Sequence, residues 1–425
     1  MGIIGSNNNR EILEEVQRKY RDYLSPSLAR LMKFSGYNAV EWTGEGVIVR
    51  DLDGNEYLDF AGGYGVFSLG HRHPKVLAAV EDQLKRLPLS AKVFFNKPLA
   101  DLAELLGTLT PGNLQYSFVC NSGTEAVEGA IKLARMATGR TQILSTVNSF
   151  HGKTMGSLSA SGRDLFKIPF EPLIPEFLHV PYGDAGALSK VITEHTAAII
   201  LEPIQGEGGI IVPPEDYFPA VRKLCDENKI LLIADEIQTG LGRTGRLFAV
   251  EHWNVVPDIM TLAKALGGGI MPIGAFVGTP AVWEAFKSNP LIHTSTFGGN
   301  PLACAAGVAA LGVIQEEHLC ENAAIQGTFL LSALREVQTR YPDIIAEVRG
   351  KGLMVGVEMR EEKYGGTVIM EMSKRRVIGV YTLNKPKVIR FEPPLIVNEK
   401  QIEQAVSAFE SAVRIARENL GERRE

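Results

Sequence analysis

Short apolar runs alternate along this chain with longer stretches in which apolar residues recur every three or four positions. The runs at 116–120, 142–147, 197–202, 230–235, 259–262 and 273–278 have the length and flanks of buried strands. Amphipathic stretches separate many of them, which predicts a mostly parallel, doubly wound sheet covered by helices. Upstream, residues 1 to about 35 read as a polar arm with a helix over 11–23 that stops near Ser25 and Pro26. Residues 46–60, folded about the turn Asp53-Gly54-Asn55, read as a hairpin. Downstream, 300–341 keeps helical spacing as one long section. Alternation then returns at 352–359, 378–382 and 388–392 before a last helix over about 399–419. The fold class is therefore α/β: an arm and hairpin over 1–74 attached to a small domain, a large domain with a mostly parallel mixed sheet over 75–319, and a smaller α+β domain over 320–425.

Composition narrows the function. With 425 residues, 45% hydrophobic and 22% charged, the chain can bury a large core. A formal net charge of -5 gives no electrostatic footprint for nucleic acid, so a small-molecule partner is expected. The 43 glycines cluster in GG and GGG runs, as tight turns and close approaches to a ligand require. The four cysteines, Cys120, Cys225, Cys304 and Cys320, form no CxxC pair, which argues against a metal site or a disulfide framework and for a reducing cytoplasm. No apolar run is long enough to span a membrane and no signal peptide is evident. The opening MGIIGS matches the myristoylation pattern at Gly2 and Ser6, with no polybasic patch to support it.

Some motifs carry no weight. Gly240 to Gly245 fits GxGxxG, but four residues part it from the strand and no acidic residue follows about 20 positions on. Gly152-Lys153-Thr154 resembles the end of a P-loop whose first glycine is missing, since Val147 stands there. There is no GxSxG and no HExxH.

Four other segments share one property: each follows an apolar run with a polar group or glycine, and in a parallel sheet such ends line one crevice. Asn121-Ser122-Gly123-Thr124-Glu125 opens a helix and offers N–H groups and hydroxyls suited to a phosphate, although Ser122 or Thr124 alone would serve equally as a helix cap. In Ser149-Phe150-His151-Gly152-Lys153, an aromatic pair before a glycine can lay a ring against a bound aromatic group; Phe150 alone would read as core. Asp235 ends the most apolar run and needs a cationic partner, in a ligand or in a structural salt bridge. Lys264 sits in an apolar stretch before Gly267-Gly268-Gly269, where desolvation would make its amine a nucleophile; a snorkelling surface lysine is the alternative. Together they form the parts list of a pyridoxal phosphate site.

With NSGTEAVEGAIKLAR, SFHGKT, LEPIQGEGG, ADEIQTGLGRTG, LAKALGGG and STFGGNPLACAA in that order, the chain resembles the class III aminotransferases, fold type I pyridoxal phosphate enzymes, over about 35–415. Within them GHRHPKV, SFVCNSGTEAVE and VIRFEPPL are most similar to putrescine aminotransferases, with acetylornithine and ornithine aminotransferases next. The resemblance implies that Ser122, Gly123 and Thr124 hold the phosphate and that Phe150 stacks on the ring, with His151 and Glu207 also at the cofactor. It implies that Asp235 pairs with the ring nitrogen, Gln238 reaches the 3-oxygen and Lys264 forms the Schiff base. Thr296 would reach a neighbouring subunit's phosphate, making a homodimer, with a dimer of dimers left open. Glu202 and Arg390 match a substrate gate: Glu202 neutralises Arg390 when an amine binds, and Arg390 is released for the carboxylate of 2-oxoglutarate. Lys153 stands where related enzymes carry an arginine, and its point charge cannot form a planar fork, which favours an amine or diamine donor. Tyr64 matches a substrate-facing tyrosine of ornithine-type enzymes and keeps an amino-acid donor open. The expected reaction is transfer of an amino group from a diamine or ω-amino compound, putrescine foremost, to 2-oxoglutarate with ping-pong kinetics.

Overall fold

The computed structural model describes residues 9–34 and 36–421, so the Gly2 and Ser6 pattern lies outside the described residues. Seven strands form the central sheet in the spatial order Tyr116–Cys120, Gly274–Gly278, Ile259–Leu262, Leu231–Asp235, Thr196–Leu201, Gln142–Thr146, Phe177–Val180. Neighbours are parallel except at Gly274–Gly278, which runs antiparallel to both strands beside it. Burial on both faces accounts for the unbroken apolar runs, and Thr196–Leu201 is buried along its whole length. Phe177–Val180 escapes the sequence pattern because it is a short edge strand, partly exposed along most of its length.

The helix Gly123–Thr138 starts at Ser122, whose side chain accepts from the Glu125 N–H, and ends at Gly139 in the left-handed conformation. It lies close on the sheet: a Cβ added at Gly129 would stand 2.1 Å from the Phe276 ring. The expected long helical section divides into Pro301–Glu316 and Leu319–Arg340, parted where His318 takes a positive φ of 52°. Near the start, Pro26 opens a second helix, Pro26–Phe34, as its fixed φ allows at a first helical position. No helix among the described residues is long and apolar enough to cross a membrane.

Two small sheets flank the large one. In the first, Glu41–Glu45, Ile48–Asp51 and Glu56–Asp59 are joined by Val377–Ile378, which pairs parallel with Glu56–Asp59. The second contains Ile345–Lys351, Met354–Met359, Val388–Phe391 and Val380–Tyr381. The single strand expected at 378–382 is thus two short ones in different sheets, and the chain changes sheet at Gly379. The second sheet grips the loop after Thr196–Leu201: the Arg349 guanidinium donates to the carbonyls of Gly209 at 2.6 Å and Ile210 at 3.1 Å. Arg349 is itself held by Glu358, which also takes Lys385 at 2.8 Å and Lys387 at 2.7 Å.

Burial alone would push the Glu358 carboxyl up, but the Lys385, Lys387 and Arg349 contacts outweigh it and hold the group at about 2. A depressed carboxyl stabilises the fold above its ordinary value of 4.5 and loses that contribution as pH falls toward 2. Glu358→Gln should therefore cost about 1 to 2 kcal/mol at pH 7 in urea unfolding, since part of the network is screened by solvent. The gap to wild type should narrow below pH 4.5, and a gap independent of pH would contradict the ion-pair account.

Candidate active site

The carboxyl ends of the sheet strands open into a cavity of about 580 Å³. Its wall includes Ser122, Gly123, Thr124, Phe150, His151, Lys153, Glu202, Asp235, Gln238 and Lys264, with Val66, Phe67, Ile270, Met271 and Ile273 as apolar lining. Residues read from four separated segments are thus brought to one place. At one end the first N–H groups of Gly123–Thr138 have no intrahelical acceptor. Beside them the Thr124 hydroxyl stands 2.8 Å from Thr154 Oγ1 and 2.6 Å from Ser157 Oγ. A helix N-terminus ringed by hydroxyls suits a phosphate dianion.

Asp235, 4% exposed, ends its strand inside the cavity. Its Oδ1 accepts from the Ile237 N–H at 3.2 Å and from Thr261 Oγ1 at 3.0 Å; Oδ2 meets His151 Nδ1 at 2.7 Å. A carboxylate has about four acceptor sites, so one remains for a ring N–H. The His151 side chain is fully buried and holds the carboxylate, and the residue belongs to the cavity wall. Lys264 faces the cavity with a positive φ of 47°, and its amine has no hydrogen-bond partner among the described residues. Burial lowers its pKa, with Glu392, Glu207 and Asp235 opposing and Arg390 assisting. An amine so placed is a nucleophile for a carbonyl.

The gate expectation needs correction. Glu202 does not pair with Arg390: its Oε1 accepts from the Phe150 N–H at 2.9 Å and its Oε2 from the Gly206 N–H at 3.0 Å, both at the strand end. Burial pushes the Glu202 carboxyl up to about 7. Glu207, expected at the cofactor, is the partner instead: Arg390 Nη2 lies 2.6 Å from Glu207 Oε2, and the Leu383 N–H adds a second donor at 2.7 Å. Burial pushes Glu207 up, but Arg390 and that N–H outweigh it and hold the carboxyl below the usual range. Arg390 is 1% exposed, and its Nε and Nη1 have no hydrogen-bond partner among the described residues. Across the guanidinium, 5.1 Å from its carbon, stands the Tyr64 ring. Tyr64 sits in a left-handed turn with Gly62 and Gly63, all with φ between 54° and 60°, held by Asp59 Oδ1 accepting from the Ala61 and Gly62 N–H groups.

Other expectations divide. Phe150 is half-buried on the cavity wall, as stacking requires. Lys153 is exposed at the rim with its ammonium 4.3 Å from the centre of the Phe166 ring. Gln238 lines the cavity and donates to Glu392 from its Nε2 at 3.0 Å. Thr296 is exposed and outside the cavity wall; its neighbour Ser295 binds Asn121 at 3.1 Å. Sequence reasoning missed Glu392, although it stands two residues from Arg390, just past the strand Val388–Phe391, with its carboxylate 3.9 Å from Arg390 Nη1.

Comparison with known proteins agrees with this geometry. The sequence model of the family described as aminotransferase class-III matches residues 37–413, and the chain belongs to that family. It is 49% identical over 402 residues to the putrescine aminotransferase of Pectobacterium atrosepticum, covering 91% of this chain and 86% of that protein. Among solved structures, the ornithine aminotransferase of Toxoplasma gondii superposes with a TM-score of 0.88 at 33% identity over 97% of this chain and 96% of that one. A transaminase from the marine bacterium Virgibacillus does so with 0.90 at 30% identity, over 97% and 100%. The fold is that of fold type I transaminases, and the protein is a pyridoxal phosphate-dependent transferase. The residues present fit the group: a free amine in an apolar cavity, a carboxylate with one acceptor site left and a phosphate-ready helix end.

Lys264→Ala should abolish the visible band of a lysine-bound pyridoxal group, while the cofactor-free variant melts as cofactor-free wild type does, since the lysine makes no hydrogen bond to lose. A variant that kept the band would place the attachment elsewhere.

Proposed function

We propose that the enzyme removes the terminal amino group of a diamine, putrescine foremost, and passes it to 2-oxoglutarate, giving an aminoaldehyde and glutamate in a ping-pong cycle. The observation that carries this reading is the Arg390–Glu207 pair, which meets a donor lacking a carboxylate as a neutralised guanidinium. Lys153 on the Phe166 ring supports it, because no planar fork stands there for a second carboxylate. The relative at 49% identity bears the name of that donor.

When bound, the cofactor supplies an electron sink for the donor's amine-bearing carbon. Asp235 would keep the ring nitrogen protonated, with His151 and Thr261 fixing its carboxylate. Phe150 would stack on the ring, and Ser122, Gly123 and Thr124, which line the cavity with it, would hold the phosphate. Lys264 Nζ would take up and give back the proton of the amine-bearing carbon, a role that its burial-lowered pKa serves. In the second half of the cycle Glu207 gives up Arg390, whose guanidinium then grips a carboxylate of 2-oxoglutarate bidentately. The aminoaldehyde from putrescine, 4-aminobutanal, cyclises to 1-pyrroline.

A second donor class is favoured by Tyr64, which leans on Arg390 as a substrate-facing tyrosine would, and corresponds to acetylornithine or ornithine. The working unit is a homodimer, which suits the exposure of Thr296 and of Phe95, Leu291 and Phe297. It divides into a small domain from 1–74 and 320–425 and a large one from 75–319, and works in the cytoplasm. Glutamate formation from 2-oxoglutarate over a donor panel tests the reading. Putrescine and cadaverine should be turned over with acetylornithine slow, and robust acetylornithine turnover with neither diamine accepted would overturn it.

A further inference from the structure

Gln238 and Lys264 stand side by side on the cavity wall: a Cβ built on Gly65 would lie 3.5 Å from Gln238 Cγ and 3.8 Å from Lys264 Cδ. Behind Gln238 is Glu392, with no exposed surface at all. Gln238 Nε2 is 3.0 Å from each oxygen of that carboxylate. The amide oxygen turns the other way, toward Gly206, where an added Cβ would come within 1.9 Å of it. Only one amide orientation is compatible with these neighbours. Flipping the group would set Oε1 against a buried carboxylate, acceptor against acceptor, in a place water cannot relieve. The nitrogen carries two hydrogens; with one committed to Glu392, the other meets only the Tyr64 carbonyl at 3.5 Å, a contact long enough to yield to an acceptor in the cavity that Gln238 lines.

We propose that Glu392 is a positioning residue of the transamination site: it locks the Gln238 amide with an N–H free to turn to the cofactor cavity and places a carboxylate behind Gln238, whose side chain adjoins Lys264. The inference rests on the reading that pyridoxal phosphate is held at Lys264. Glu392 acts on Arg390, whose Nη1 lies 3.9 Å away, on Arg243 and on Lys264; Asp59 also acts on Arg243, Glu207 and Asp235 also act on Lys264, and Glu207 and Tyr64 also act on Arg390. Glu392 is foremost among the groups that favour the charged form of Lys264 against its burial. Arg243, fully buried and without a carboxylate in hydrogen-bond contact, responds to the same charge. A second carboxylate here is a costly thing to bury, and a role in orientation gives it a reason.

The test uses the holoenzyme and two readouts other than turnover: the apparent affinity for pyridoxal phosphate, and the pH midpoint of the bound cofactor's visible band. Glu392→Ala should weaken affinity about tenfold, because the amide is free to turn its oxygen into the cavity. Glu392→Gln keeps an acceptor for Gln238 but no charge, so its affinity should stay within about threefold of wild type. Its band midpoint should fall by roughly half a unit or more, since a negative charge that favoured the protonated nitrogen is gone. In a Gln238→Leu background Glu392→Ala should cost no further affinity. The proposal is overturned if Glu392→Ala binds as wild type does, or if its effect persists in full without Gln238. Should Glu392→Ala not fold, Glu392→Gln decides alone: an unmoved midpoint, or a tenfold loss of affinity, overturns the proposal. A wild-type protein with no visible band would instead overturn the cofactor reading beneath it.

Discussion

The architecture around the site hangs on one buried ion pair, Arg390 with Glu207. The Glu207 carboxylate offsets the cost of enclosing this guanidinium, and removing one partner of such a pair costs about 3 to 5 kcal/mol. Its two halves come from distant parts of the chain. Arg390 is carried by the strand Val388–Phe391 of a small sheet, while Glu207 is carried by the loop that follows the central strand Thr196–Leu201. The loop is fastened twice more, by the bridge between Gln205 and Ile211 and by Arg349 on the carbonyls of Gly209 and Ile210. The pair and its fastenings therefore tie the small sheet to the central one beside the reactive lysine. Because Arg390 keeps unpartnered N–H groups, the contact is also one that can be exchanged for an incoming carboxylate.

The rest of the site follows from strand order. A parallel sheet brings its strand ends to one edge, so Asp235, Glu202 and the residues after Gln142–Thr146 meet although long stretches of chain separate them. The antiparallel strand Gly274–Gly278 lies between Tyr116–Cys120 and Ile259–Leu262 without disturbing that edge, because its own start returns to the Ser122 turn: a Cβ at Gly274 would stand 2.4 Å from the Ser122 carbonyl. Tight glycine packing thus sets the phosphate end against the lysine end.

Most of this was legible in the sequence, where period and burial coincide. Six of the seven central strands coincide with short, mainly apolar runs, and the polar residues at their ends supply the cavity wall. What could not be read is which of two nearby carboxylates in LEPIQGEGG meets Arg390. That depends on the path of the loop, in which Glu202 is captured at once by the N–H groups of Phe150 and Gly206, leaving Glu207 to reach the guanidinium. Glu392 was readable in principle, two residues beyond Arg390, but its partner Gln238 comes from a segment with which no sequence rule pairs it. Thr296 is exposed in a single chain, so its proposed role depends on a second copy.

The central claim is that Arg390 is neutralised by Glu207 for the amine and released for the keto acid. Single-turnover absorbance of the two half-reactions in Glu207→Ala tests it most directly. The account predicts a donor half-reaction slowed about tenfold or more, as an unpaired buried guanidinium repels the ammonium, with the 2-oxoglutarate half-reaction unchanged or faster. Equal loss in both half-reactions, or loss confined to the keto acid, would contradict it.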